Sequence, residues 1–154
     1  MSLTGTYPRT VDDKQRIAVP KQLRDGFGEE SKSVFYLAPG NEGCLCLYTK
    51  SGFDGLAAKL VNDPGGHANV RNYLRVLYAL AERVVLDKQS RVRIPERLAE
   101  RAGLSHSVVL IGVYDHVEIW DQERWDSFLS QNESQFDELT EQALNIASPD
   151  SLPI

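Results

Sequence analysis

The chain has 154 residues, of which 42% are hydrophobic and 25% charged, a composition that suits one compact domain or two small intertwined ones and excludes global disorder. No apolar run approaches the roughly 18 residues that cross a bilayer, and residues 1–10 carry neither the apolar stretch nor the cleavage site of a secretory signal, so a cytoplasmic protein without membrane contact is expected. The net charge of −5 argues against nucleic acid only on average: residues 118–154 hold nine acidic residues and one basic, and residues 1–117 carry a net +3 that can form a basic face.

In chain order, Arg16-Ile17-Ala18-Val19 alternates apolar and polar residues, the period of a half-buried strand, which turns Arg16 away from the core. Pro20 ends that strand and pre-sets a short helix over 20–27, stopped by Gly28. Apolar runs at 33–38 and 44–48 form a hairpin. Cys44 and Cys46, two apart, share one strand face; they make a poor disulfide, and two sulfurs alone make a poor zinc site, so they read as small buried apolar residues. A helix near 52–61 and the loop Asp63-Pro64-Gly65-Gly66 follow. Asn69 then caps a helix whose residues Val70, Tyr73, Leu74, Leu77, Tyr78 and Ala81 form a core-facing stripe. Arg91-Val92-Arg93-Ile94 is again a strand, residues 95–102 a short helix ending at Gly103, and 108–113 and 116–120 a hairpin turning through Tyr114-Asp115. Helices over 122–130 and 134–147 precede a tail at 148–154.

These elements occur twice. Val11–Leu23 aligns without gaps on Leu86–Leu98 at an offset of 75, with Asp12/Asp87, Arg16/Arg91, Pro20/Pro95 and Leu23/Leu98 identical. After a loop three residues longer in the first copy, the match resumes at an offset of 72, pairing Leu45, Leu47, Tyr48, Phe53 and Asp54 with Val117, Ile119, Trp120, Trp125 and Asp126. The shared unit is Asp-x-x-x-Arg, an alternating strand, Pro, a second strand pair and a helix opening with an aromatic residue.

The two in-register Asp-x-x-x-Arg signatures, with Val108-Val109-Leu110-Ile111-Gly112-Val113-Tyr114-Asp115-His116-Val117-Glu118-Ile119-Trp120, resemble those of the MraZ family of bacterial transcriptional regulators over residues 7–147. The resemblance implies an α+β fold of two pseudosymmetric AbrB-like (SpoVT-AbrB, swapped-hairpin) halves forming one interlocked β core with flanking helices. The expected division is a first repeat at 7–62, a connecting helix at 69–83, and a second repeat with C-terminal helices at 84–147. It further implies a sequence-specific repressor of the division and cell-wall gene cluster, associated with the nucleoid. A homo-oligomeric ring would engage direct repeats of double-stranded DNA at its own promoter, with no cofactor. Asp12, Arg16, Asp87 and Arg91 inherit the motif roles, Arg toward DNA and Asp orienting it. The family has Gly before the Arg where this chain has Gln15 and Ser90. A left-handed turn there costs a non-glycine residue about 1 kcal/mol, so the expectation is either a strained turn or a loop of different shape.

The chemistry of the residues agrees with the resemblance. A guanidinium offers a planar fork of donors to guanine O6 and N7 or to phosphate, which Arg16, Arg91 and Arg93 could present from one strand face. Lys14, Lys88, Arg9, Lys21, Arg24, Arg97 and Arg101 are candidates for phosphate contacts that set register. An enzyme is not expected: His67, His106 and His116 fall far apart in the expected fold, in a Gly-rich loop, a post-helix turn and a strand, and no Ser-His-Asp order, HExxH motif or phosphate loop is present. Trp120 and Trp125 read as core or interface anchors. The alternatives are an oligomeric structural protein and an antitoxin-like interaction protein; the packed-helix spacing of residues 122–147 opposes the disordered tail the latter needs.

Overall fold

A computed structural model describes residues 2–28 and 33–147. The first copy of the pattern forms β1 (Thr6–Thr10), β2 (Arg16–Ala18), α1 (Lys21–Gly26), β3 (Val34–Pro39), β4 (Leu45–Tyr48), α2 (Lys50–Ala58) and α3 (Ala68–Leu80). The second forms β5 (Glu82–Val85), β6 (Arg91–Arg93), α4 (Glu96–Arg101), β7 (Ser107–Val113), β8 (His116–Asp121), α5 (Gln122–Glu133) and α6 (Phe136–Ala147). Met1–Gln122 forms one compact unit and Glu123–Ile154 a second. No helix among the described residues is long and apolar enough to cross a membrane.

The strands interlock as expected for swapped hairpins. The six-stranded antiparallel sheet has the order β1-β7-β8-β4-β3-β5, and β2 and β6 make a separate two-stranded ribbon. Each copy therefore lends its first strand to the other: β1 pairs with β7, and β5 with β3. Exchanging the copies maps the sheet order onto itself. The pseudo-twofold passes through the facing pairs Ile17/Val92 on the ribbon and Cys46/Glu118 on the sheet. Neither copy can complete its sheet alone.

One core fills the space between ribbon and sheet. Ile17, Val92, Leu23, Leu98, Phe35, Leu37, Leu45, Leu47, Leu110, Val117 and Ile119 are all fully buried in it. The alternation of β2 and β6 sends Ile17 and Val92 inward and Arg16, Ala18, Arg91 and Arg93 outward. On the opposite sheet face, Ala38, Phe53 and Leu77 make a smaller cluster under α2 and α3, where Tyr36 stacks on Phe53 with ring centroids 5.4 Å apart.

Element boundaries shift where a capping group overrides periodicity. The second helix starts at Lys50 rather than Gly52, because the Thr49 hydroxyl accepts the Gly52 amide at 3.0 Å. The third is capped at His67 rather than Asn69, and the Asp63 carboxylate takes the His67 amide at 2.8 Å. Cys44 ends a 3-10 turn at Asn41–Gly43 instead of opening β4. The predicted tail at 148–154 lies outside the described residues.

Candidate nucleic-acid interface

The two Asp-x-x-x-Arg segments fold into the same turn. The Asp12 carbonyl accepts the Gln15 amide at 3.1 Å; its Oδ1 accepts the Lys14 and Arg16 amides at 2.9 and 2.8 Å, and its Oδ2 accepts Arg16 Nε at 2.7 Å. In the second copy the Asp87 carbonyl accepts Ser90, Oδ1 accepts Gln89 and Arg91, and Oδ2 accepts Arg91 Nε, at distances of 2.8 to 2.9 Å. Gln15 and Ser90 adopt left-handed φ values of 63° and 62°. The turn thus keeps the conformation a glycine would take freely and carries about 1 kcal/mol of strain at each site, held by the carboxylate that collects the donors around it. Each turn is also tied to the opposite strand, Ile94 donating to the Gln15 carbonyl at 2.8 Å and Val19 to that of Ser90 at 2.9 Å.

Charge follows the hydrogen bonds. Partial desolvation pushes the Asp12 carboxyl up, but the Arg16 amide, the Arg16 guanidinium and the Lys14 amide together outweigh it and hold the group below the ordinary carboxylate value. Asp87 is held down chiefly by the Arg91 amide. Both carboxylates therefore stay ionised, and each fixes its Arg through Nε. That choice of nitrogen leaves the terminal Nη groups for other partners. The antiparallel ribbon brings the two turns together: Arg91 Nη1 lies 3.8 Å from Asp12 Oδ2, so Asp12, Arg16, Asp87 and Arg91 form one cluster across the pseudo-twofold.

The other predicted residues divide. Lys14 and Lys88 are exposed at the turns beside the cluster, and Arg93 is exposed on the outer ribbon face. The helix-borne cations are engaged within the fold: Lys21 Nζ pairs with Asp25 at 2.6 Å, Arg24 Nε donates to the Val19 carbonyl at 3.1 Å, and Arg97 reaches the Ala79 carbonyl and Glu82 at 3.2 and 3.3 Å. Arg93 also borders an open groove of about 720 Å³ with Gln15, Val84, Pro95 and Glu96, a feature that arises only when β5 and α4 pack beside the ribbon and that no sequence motif announces. His67 pairs with Asp63, and His116 with Asp115 and Glu118.

Comparison with known proteins fits this arrangement. A family model described as "MraZ protein, putative antitoxin-like" matches the chain twice, over residues 2–76 and 77–146. A protein of Acetivibrio thermocellus named Transcriptional regulator MraZ is 40% identical over 124 residues, covering 80% of this chain and 84% of that protein. Proteins of the same name from Lactobacillus helveticus and Salinispora tropica are 38% and 37% identical over 137 and 140 residues, covering 89% and 91% of this chain and 93% and 96% of theirs.

Proposed function

The chain belongs to the MraZ family, and from that premise we propose that it is a transcriptional regulator that binds double-stranded DNA through the β2–β6 ribbon. The observation that carries this reading is the cluster in which Asp12 and Asp87 each fix one arginine through Nε and Arg91 Nη1 lies 3.8 Å from Asp12 Oδ2 across the pseudo-twofold, on the outer face of a two-stranded ribbon. Such a ribbon fits the major groove, which is about 12 Å wide, and a guanidinium held through Nε retains a pair of Nη donors for guanine O6 and N7. Holding the side chain in advance lowers the entropy lost on binding. Lys14, Lys88 and Arg93 lie where they can meet flanking phosphates; Lys21, Arg24 and Arg97 would first have to leave partners in the fold.

In the finer form of the proposal, the protein represses the division and cell-wall cluster that contains its own gene, binds direct repeats there as a homo-oligomeric ring, and resides at the nucleoid. One ribbon contributes few phosphate contacts, so its affinity alone is modest and salt-sensitive. Joining several ribbons makes later contacts intramolecular and raises avidity by orders of magnitude. The exposed Phe136, Leu144 and Ile146 of α6 supply apolar surface that such self-association can bury.

The test is fluorescence anisotropy with DNA from upstream of the protein's own gene and a scrambled duplex, across a salt series. Preferential, salt-sensitive binding to the promoter duplex is expected. Equal affinity for both duplexes contradicts sequence-specific recognition.

A further inference from the structure

On the sheet face opposite the DNA-facing ribbon, β4 and β8 bring together chemistry that the proposed DNA reading leaves unused. Cys44 and Cys46 are reduced and buried, and one ligand atom from each, with a carboxylate oxygen of Glu118, lies within 4.8 Å of the others. His116 Nε2 is 3.2 Å from Glu118 Oε2 and neighbours the Cys46 sulfur. We propose that Cys44, Cys46, Glu118 and His116 form a binding site for a thiophilic divalent cation, with Zn²⁺ as the type ion.

The four positions are two equivalent pairs about the pseudo-twofold: the 72-residue offset relates Cys44 to His116 and Cys46 to Glu118. Cys46 of β4 and Cys44 just before it meet Glu118 and His116 of β8 on one sheet face. A tetrahedral zinc site takes four donors, with metal–sulfur bonds of about 2.3 Å and metal–nitrogen or metal–oxygen bonds of about 2.0–2.2 Å, and accepts sulfur, nitrogen and oxygen together. Cys44, Cys46 and Glu118 supply three donors that lie within 4.8 Å of one another; His116 Nε2 stands outside that set, bonded to Glu118 Oε2, and turns inward to become the fourth.

The surroundings are those of a ligand set. His116 Nδ1 is hydrogen-bonded to Asp115 Oδ1 at 2.9 Å, which directs Nε2 toward the cluster, and Trp120 Nε1 donates to Glu118 Oε1 at 2.9 Å, which leaves Oε2 facing it. Gly40 covers both sulfurs: a Cβ there would lie 2.6 Å from Cys46 Sγ and 2.7 Å from Cys44 Sγ, so glycine leaves the sulfurs their space. A cavity of about 340 Å³ between β4, β8 and α3, lined by Cys46, Tyr48, Tyr73, Leu77, His116 and Glu118, gives an ion its access. An ion displaces the thiol protons as it binds.

The test uses the full chain, stripped with a chelator and kept reduced, titrated with Zn²⁺ calorimetrically and with Co²⁺ by absorption. One equivalent of Zn²⁺, a thiolate-to-cobalt charge-transfer band, and a melting temperature raised by Zn²⁺ are expected. Cys46→Ser should abolish the charge-transfer band or weaken it sharply. Glu118→Gln, which keeps an acceptor for Trp120, should weaken Zn²⁺ binding, and Asp115→Asn should weaken it by about 10–100-fold. Absence of stoichiometric binding, a cobalt spectrum without thiolate charge transfer, or unchanged affinity in folded Cys46→Ser and Glu118→Gln would overturn the proposal. So would a reduced chain that binds no metal but readily closes a Cys44–Cys46 disulfide.

Discussion

Positions related by the pseudo-twofold differ in opposite ways on the ribbon and on the sheet. On the ribbon, Asp12 and Asp87, and Arg16 and Arg91, are identical residues in matching hydrogen-bond sets, even though Gln15 and Ser90 between them differ. On the sheet, the equivalent and directly paired Cys46 and Glu118 share no chemistry, and neither do Cys44 and His116. A symmetric ligand can account for the first region: two like arginines suit a double helix, whose strands are themselves related by twofold axes. The second needs a reason that depends on the two halves being unlike, which a mixed sulfur, nitrogen and oxygen ligand set supplies.

Ile17→Ala empties a fully buried position on the pseudo-twofold and is expected to cost about 2–5 kcal/mol in denaturant unfolding. Val92→Ala should cost somewhat less, since valine loses fewer methyl groups. A loss confined to one half would mean that the copies fold separately. Next, Arg16→Ala and Arg91→Ala should each weaken operator binding about ten- to a hundredfold, the worth of a bidentate base contact, with little change in melting temperature. Unequal losses would show that one turn does most of the reading.

Asp12→Asn and Asp87→Asn should lower the melting temperature at neutral pH by similar amounts. Both carboxyls lie below their ordinary value in the fold, so their contribution is present above the unfolded value near 3.8 and is lost as pH falls through the folded one. The difference between wild type and variants should therefore vanish in acid; a difference that persists there would assign it to packing. Smallest of all, Gln15→Gly and Ser90→Gly relieve left-handed strain and should each raise stability by up to about 1 kcal/mol. A lowered melting temperature would contradict the turn geometry.

The duplicated motif made the family resemblance legible, and the swapped-hairpin sheet was what that resemblance implied. The outward direction of Arg16, Arg91 and Arg93 was equally legible from alternation. Less could be read where position depends on contacts between distant segments. The bond from Arg97 to the Ala79 carbonyl depends on where α3 ends against α4. The left-handed Gln15 contradicts its local preference, and the interactions of Asp12 hold it there. Cys46 lacked a neighbouring carboxylate in sequence because Glu118 comes opposite it only through the β4–β8 register, although the offset that aligned the copies already placed the two at equivalent positions.

The central claim is that both turns of one ribbon contact the same DNA. The most direct measurement is the salt dependence of promoter affinity for wild type, Arg16→Ala, Arg91→Ala and the double variant on promoter and scrambled duplexes. The account predicts that each single variant loses part of the preference for the promoter, and that the double variant binds both duplexes alike and remains folded. A folded double variant that keeps the wild-type preference would contradict it.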